Sequence, residues 1–175
     1  MQQNPLSQVC LPKKVWMLQP CICARRWERC FANPNATLRE LFSRMVLNVL
    51  CGNTDDHARN HSAFWDGNQL TLTPAYDICP QLRAGQQASQ AMLIHKRDRS
   101  SQLATCIAAA PSFLIEKEDA IRIVNQQVGT IEKEWQFVCD EANLNEVDCT
   151  LFWRRQFLNP FAFQSAPAGI RIPCR

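Results

Sequence analysis

Between Leu38 and Leu50 apolar residues recur three and four positions apart, at Leu38, Leu41, Phe42, Met45, Val46, Val49 and Leu50, and the pattern stops at Gly52. Side chains at that spacing share one side of a helix, so the stretch demands a helix with a buried face. Thr37 and Glu40 make a T-x-x-E capping box, which predicts the start at Thr37. Arg39 and Arg44 fall off the apolar stripe and are expected to reach solvent. Gly52 can take the left-handed conformation that closes a helix, and the polar run from Asn53 to Asn60 then reads as a loop.

Two short runs follow, Ser62 to Trp65 and Gln69 to Thr73, rich in aromatic and β-branched residues and joined through Asp66-Gly67-Asn68. Asp-Gly between such runs predicts a hairpin. Pro74 has no N–H to give to a ladder, so the second strand ends there and Asp77 lies in the next loop. The predicted order is helix, loop, hairpin, acidic loop.

That order sets Asp55 and Asn60 in the first loop, as D-x-x-x-x-N, and Asp77 in the second. Phosphoryl transfer from ATP asks for such a set, since it depends on positioning and charge stabilisation. One carboxylate orients the attacking hydroxyl and takes its proton, while a second carboxylate and an amide oxygen hold Mg²⁺, which prefers hard oxygen ligands. Two plainer readings stand beside this one. Asp and Asn bond their own backbone in turns, so the motif alone is also that of a solvated turn. His57 and His61, four apart, would suit zinc only on a helix, and this segment is loop.

At Gly52-Asn53-Thr54-Asp55-Asp56-His57-Ala58-Arg59-Asn60 and Leu72-Thr73-Pro74-Ala75-Tyr76-Asp77-Ile78 the chain resembles the catalytic and metal-binding loops of the HipA family, the serine/threonine kinase toxins of bacterial toxin-antitoxin pairs. The resemblance runs from about Phe31 to Phe163. It implies an α+β, mainly helical fold, the C-terminal lobe of a protein-kinase-like fold with a short β-hairpin between the two loops. It implies Asp55 as catalytic base, Asn60 and Asp77 as Mg²⁺ ligands, and His57, Arg59 and Tyr76 lining the nucleotide site with them. MgATP would be the phosphate donor and a protein Ser or Thr the acceptor. In the family a HipB-like helix-turn-helix antitoxin restrains the toxin, and the best-known member inactivates glutamyl-tRNA synthetase.

The chain departs from a complete kinase ahead of Asp55. Its five glycines stand at Gly52, Gly67, Gly85, Gly129 and Gly169 and build no phosphate cradle upstream, and Lys13 and Lys14 precede no strand-helix unit. Three expectations stay open: a kinase fragment whose N-lobe comes from a separately encoded chain, a non-catalytic remnant, or an antitoxin-binding helical module. Residues 1–30 are expected to be irregular or disordered, 31–163 to form the lobe, and 164–175 to be a loose tail broken by Pro167 and Pro173. Cys10, Cys21, Cys23 and Cys30 match no zinc spacing and read as free thiols.

Downstream, helices are predicted over 86–94, 100–110 and 116–142, with Pro111 ending the second. In the longest, Ile121, Val124, Val128, Ile131, Trp135 and Val138 form a stripe read as core, with Glu132, Lys133 and Glu134 on the solvated side. A shorter helix is predicted through Leu151, Phe152, Phe157 and Leu158, closed at Asn159-Pro160. A net charge of +3 is too small to argue direct nucleic-acid binding, so DNA contact is expected only through a partner. Ten cysteines without a secretory signal pattern point to a reducing bacterial cytoplasm, and no apolar run approaches a membrane span, so no membrane role is expected.

Overall fold

Helix α1 (Pro34–Cys51) is the axis around which the rest packs. The computed structural model describes residues 30–81, 85 and 87–173, together with the backbone of 15–17. The α1 stripe is buried as the sequence demands, with Leu38, Phe42, Val46 and Leu50 wholly enclosed. Each such side chain contributes about 1.5–3 kcal/mol by leaving water. The start differs from the predicted capping box. Asn33 is the N-cap, its Oδ1 accepting from the Ala36 amide at 3.2 Å, and Pro34 occupies the first turn, where its missing N–H costs nothing. With the helix begun one turn earlier, Glu40 is free to turn toward Arg44.

Arg44 is the second correction: it is buried rather than solvent-facing. Its Nε donates to Glu40 Oε1 at 2.8 Å and its Nη2 to the Thr73 carbonyl at 2.7 Å. The guanidinium thereby fastens the exit of the hairpin to α1. At the other end Gly52 adopts φ 71° and donates its amide to Asn48 O, as predicted.

The hairpin is β2 (Ser62–Trp65) and β3 (Leu70–Leu72), paired antiparallel with Ala63 opposite Leu72. Asp66 Oδ1 accepts from the Asn68 and Gln69 amides at 2.8 and 2.7 Å and shapes the turn. Inside the segment expected to be irregular, β1 (Val15–Met17) adds a third strand, antiparallel to β2 with Trp16 opposite Ala63. Strand β2 has a free hydrogen-bonding edge opposite β3, and the N-terminal segment satisfies it. Cys10, Cys21 and Cys23 lie outside the described residues, while Cys30 is a free, half-buried thiol.

No helix forms over 87–94. The stretch instead doubles back on itself, with Gln90 N on Arg99 O at 2.8 Å, Ser101 N on Ala88 O at 2.9 Å, and a tight turn between His95 and Asp98. The amides of Gln90, Ala91 and Ile94 are engaged by Arg99, Thr54 and Asp98 and so are lost to a helical ladder. Helix α2 (Leu103–Ala109) starts three residues later than predicted and ends just ahead of Pro111 as predicted, the chain continuing through a 3-10 turn, Ala110–Phe113. Phe113 meets Phe42 edge-on at 5.7 Å.

Helix α3 (Lys117–Glu141) matches its prediction within a residue at each end. Ala120, Val124 and Val128 enter the core, but Val138, read from its spacing as core, is 50% exposed. Helix α4 (Glu146–Phe152) stops short of the predicted Leu158: Trp153 turns to an extended conformation, and the Leu158 amide bonds Leu50 O at 2.7 Å, across the C-terminal end of α1. A last 3-10 turn spans Pro160–Phe163. Residues 164–173, expected to be loose, run along α3: Asn125 donates to Gly169 O at 2.8 Å and accepts from the Arg171 amide at 2.7 Å, and Arg171 pairs with Glu132 at 2.7 Å.

Candidate active site

The polar loop between α1 and β2 is held at several points. Asn53, wholly buried, donates from Nδ2 to Asn48 Oδ1 at 3.1 Å and to the Asp77 carbonyl at 3.3 Å. Gln81 N reaches Gly52 O at 3.0 Å, and Ala91 N reaches Thr54 O at 2.9 Å. A single 3-10 turn, Ala58–Asn60, then delivers the chain into β2.

Gly52 shows why this start is fixed. A Cβ there would sit 2.7 Å from the Gln156 carbonyl oxygen, and φ is already in the left-handed region. Only glycine fits both demands.

The acidic loop after β3 is tied to the first loop from the other side. Tyr76 Oη donates to the Arg59 carbonyl and lies 2.7 Å from Ser62 Oγ. Asp77 follows at φ 57°, a conformation that Asp tolerates better than most residues. Two bridges, Asn53 to Asp77 and Tyr76 to Arg59, therefore bring the loop of Asp55 and Asn60 alongside the loop of Asp77.

Exposure differs among the candidate residues. Asp55, Arg59, Tyr76 and Asp77 are open to solvent, His57 is half-buried and Asn60 is buried. His57 Nδ1 is enclosed with no hydrogen-bond partner among the described residues. Tyr76 differs from a simple lining residue, because its hydroxyl is spent on bracing the two loops.

Two residues that the motif reading passed over hold the loop from within. Asp56 Oδ1 and His61 Nε2 lie 2.7 Å apart with both side chains nearly inaccessible. They flank the turn that carries His57, Arg59 and Asn60, Asp56 next to Asp55 and His61 next to Asn60, so one buried bond pins both ends of the segment. The signal in the sequence was an acid and a histidine five apart between polar neighbours, a pattern that does not say which of Asp55 and Asp56 turns inward.

The donor chemistry suits a hard divalent cation. Among the described residues no three His, Cys, Asp or Glu side chains gather closely enough to hold a metal by themselves. A cation here would rest on the Asn60 amide oxygen, the Asp77 carboxylate and oxygens of its own ligand, the manner in which Mg²⁺ is commonly bound beside phosphates.

A helical lobe with a small antiparallel sheet and two loops bridged across its hairpin is the class of protein these features define. The chain belongs to the HipA-like C-terminal domain family, whose profile matches residues 21–135. No curated protein matches it significantly in sequence. Among solved structures it is similar to HipA of Shewanella oneidensis MR-1, determined as a toxin-antitoxin complex of HipA, HipB and operator DNA, at 18% identity and a TM-score of 0.59. The likeness covers 76% of this chain and 32% of that one, so the chain spans about a third of the length of the protein it resembles.

Proposed function

We infer that this lobe carries the catalytic and metal-binding loops of a HipA-like serine/threonine kinase that transfers phosphate from MgATP to a protein hydroxyl. The observation that supports this most directly is the pair of bridges between the Asp55–Asn60 loop and the Asp77 loop, with the Asp55 carboxylate left open. Asp55 would accept the proton of the attacking hydroxyl. Asn60 and Asp77 would hold Mg²⁺, while His57 Nδ1 and the Arg59 guanidinium would face the nucleotide. The bound cation would supply charge neutralisation on the phosphates. A nucleotide-binding lobe would come from elsewhere, in this polypeptide's longer form or a separate chain, and a HipB-like antitoxin would be the regulatory partner and the route to any DNA contact.

A second reading, a non-catalytic module that binds an antitoxin, draws support from the apolar side chains left open on α3 and α4. Phe137 and Val147 are 61% and 75% exposed.

The separating experiment is ATP-dependent phosphate incorporation into protein by the purified chain, with and without a supplied nucleotide-binding lobe. The kinase reading expects transfer that Asp55→Asn lowers by roughly a hundred- to ten-thousand-fold with an unchanged circular dichroism spectrum. No incorporation under either condition, from wild type or variant, would leave the binding module as the better description.

A further inference from the structure

A small cavity of about 10 Å³ lies where the Asp55–Asn60 loop, α1 and the excursion after the acidic loop meet. Asp56 and His61 line it from the loop, Met45 from α1, and Gln90, Met92 and Ile94 from the excursion. Two of these side chains are polar, almost wholly inaccessible and incompletely bonded. His61 is 2% exposed and Gln90 4%. His61 Nδ1 and Gln90 Oε1 are both enclosed with no hydrogen-bond partner among the described residues.

The bonds at the far end of each group decide what is left over. An ionised carboxylate accepts and does not donate, so at 2.7 Å Asp56 Oδ1 takes the hydrogen of His61 Nε2, and Nδ1 keeps an acceptor lone pair. Gln90 Nε2 donates to Ser101 Oγ at 3.0 Å, which leaves Oε1 as a second acceptor. Two acceptors cannot satisfy each other. Both need a donor, and one molecule with two hydrogens serves them together. A cavity has to offer roughly 10–15 Å³ to admit a water, and buried waters generally make two to four hydrogen bonds.

We propose that this cavity is the site of a single internal water that donates one hydrogen to His61 Nδ1 and the other to Gln90 Oε1. Gln90 is then a positioning residue for the Asp56–His61 clamp, acting through the water to hold the imidazole with Nε2–H on the carboxylate. The adjacent Ala91 amide bonds Thr54 O at 2.9 Å, so the excursion grips the loop twice, by main chain ahead of Asp55 and by water at His61. The turn carrying His57, Arg59 and Asn60 lies between the two grips.

Nuclear magnetic resonance of the folded chain, labelled with nitrogen-15 at histidine, tests this. In the wild type His61 should carry its proton on Nε2, Nδ1 should resonate as an unprotonated nitrogen that accepts a hydrogen bond, and the ring Hε1 proton should show cross-relaxation with a long-lived water. Gln90→Met keeps the volume and removes the acceptor. It should lose the water signal and move the Nδ1 resonance toward that of an unbonded ring nitrogen, while Nε2–H stays on Asp56. A proton on Nδ1 in the wild type overturns the proposal, because that nitrogen would then be a donor. So does the lack of water cross-relaxation at His61 in the wild type, or an Nδ1 resonance indifferent to Gln90→Met.

Discussion

Asp55 and Asp56 are neighbours in sequence and opposites in environment. One is open to water, and the other is enclosed against His61. Removing a partner from a buried hydrogen bond leaves the remaining group desolvated and unmatched, a cost on the order of 1–3 kcal/mol. Asp56→Ala is therefore expected to lower stability by that amount in urea unfolding, whereas Asp55→Ala should change it by less than about 0.5 kcal/mol, as exposed positions generally do. Gly52→Ala belongs to the same scale. The left-handed conformation alone disfavours a Cβ by about 1–2 kcal/mol, and contact with the Gln156 carbonyl adds to it. Its unfolding midpoint should fall further than that of a helix-surface Gly→Ala change, with loss of amide protection in the 52–60 loop by hydrogen exchange.

Among the elements, the excursion from Ala88 to Ser101 is held partly by Asp98, whose carboxylate sits below its ordinary value chiefly because the Ser100 backbone amide donates to it, with the Ser100 and Thr105 hydroxyls assisting. A depressed folded value means that the stabilisation is fully present above the ordinary carboxylate value of 3.8 and is lost as pH falls through the folded one. Acidification should accordingly raise amide exchange at Ser100, and Asp98→Asn should flatten that dependence. The docked C-terminal segment makes a separate prediction. Asn125→Ala removes both its bond to Gly169 O and its bond from the Arg171 amide, so limited proteolysis after residue 169 should accelerate while the α1 core remains protected.

Helices α1 and α3 could be read from the sequence because each carries a stripe of apolar residues long enough to set its own period, and the hairpin could be read from Asp66-Gly67. The misread elements are those decided by partners far along the chain. The 87–94 stretch contains residues able to form a helix, but its Gln90, Ala91 and Ile94 amides are bound by Arg99, Thr54 and Asp98, and Leu158 leaves the line of α4 to bond the carbonyl of Leu50. Arg44 is buried against expectation for the same reason: helical position says which side a guanidinium leaves from, not that a carbonyl at Thr73 will draw it inward. In the candidate site Asp55, Asn60 and Asp77 are visible in the sequence as a spaced motif. The Asp56–His61 clamp and the bracing role of Tyr76 were not, because burial and hydroxyl direction depend on tertiary packing.

For the whole molecule, the apolar residues left in water are informative about solubility. No helix among the described residues is long and apolar enough to cross a membrane. Phe137, Val138, Val147 and Leu151 nevertheless remain open on α3 and α4. Phe137→Ser should leave the unfolding midpoint within about 0.5 kcal/mol of wild type while raising the concentration at which the chain stays monodisperse in light scattering.

The bond from the Leu158 amide to the Leu50 carbonyl also has a consequence in time. During synthesis the segment from Asp55 to Asp77 emerges long before the residues that seal the end of the helix in front of it. A nascent chain arrested ahead of Leu158 would already contain Asp55, Asn60 and Asp77, yet lack the distant latch that closes the helix leading into them.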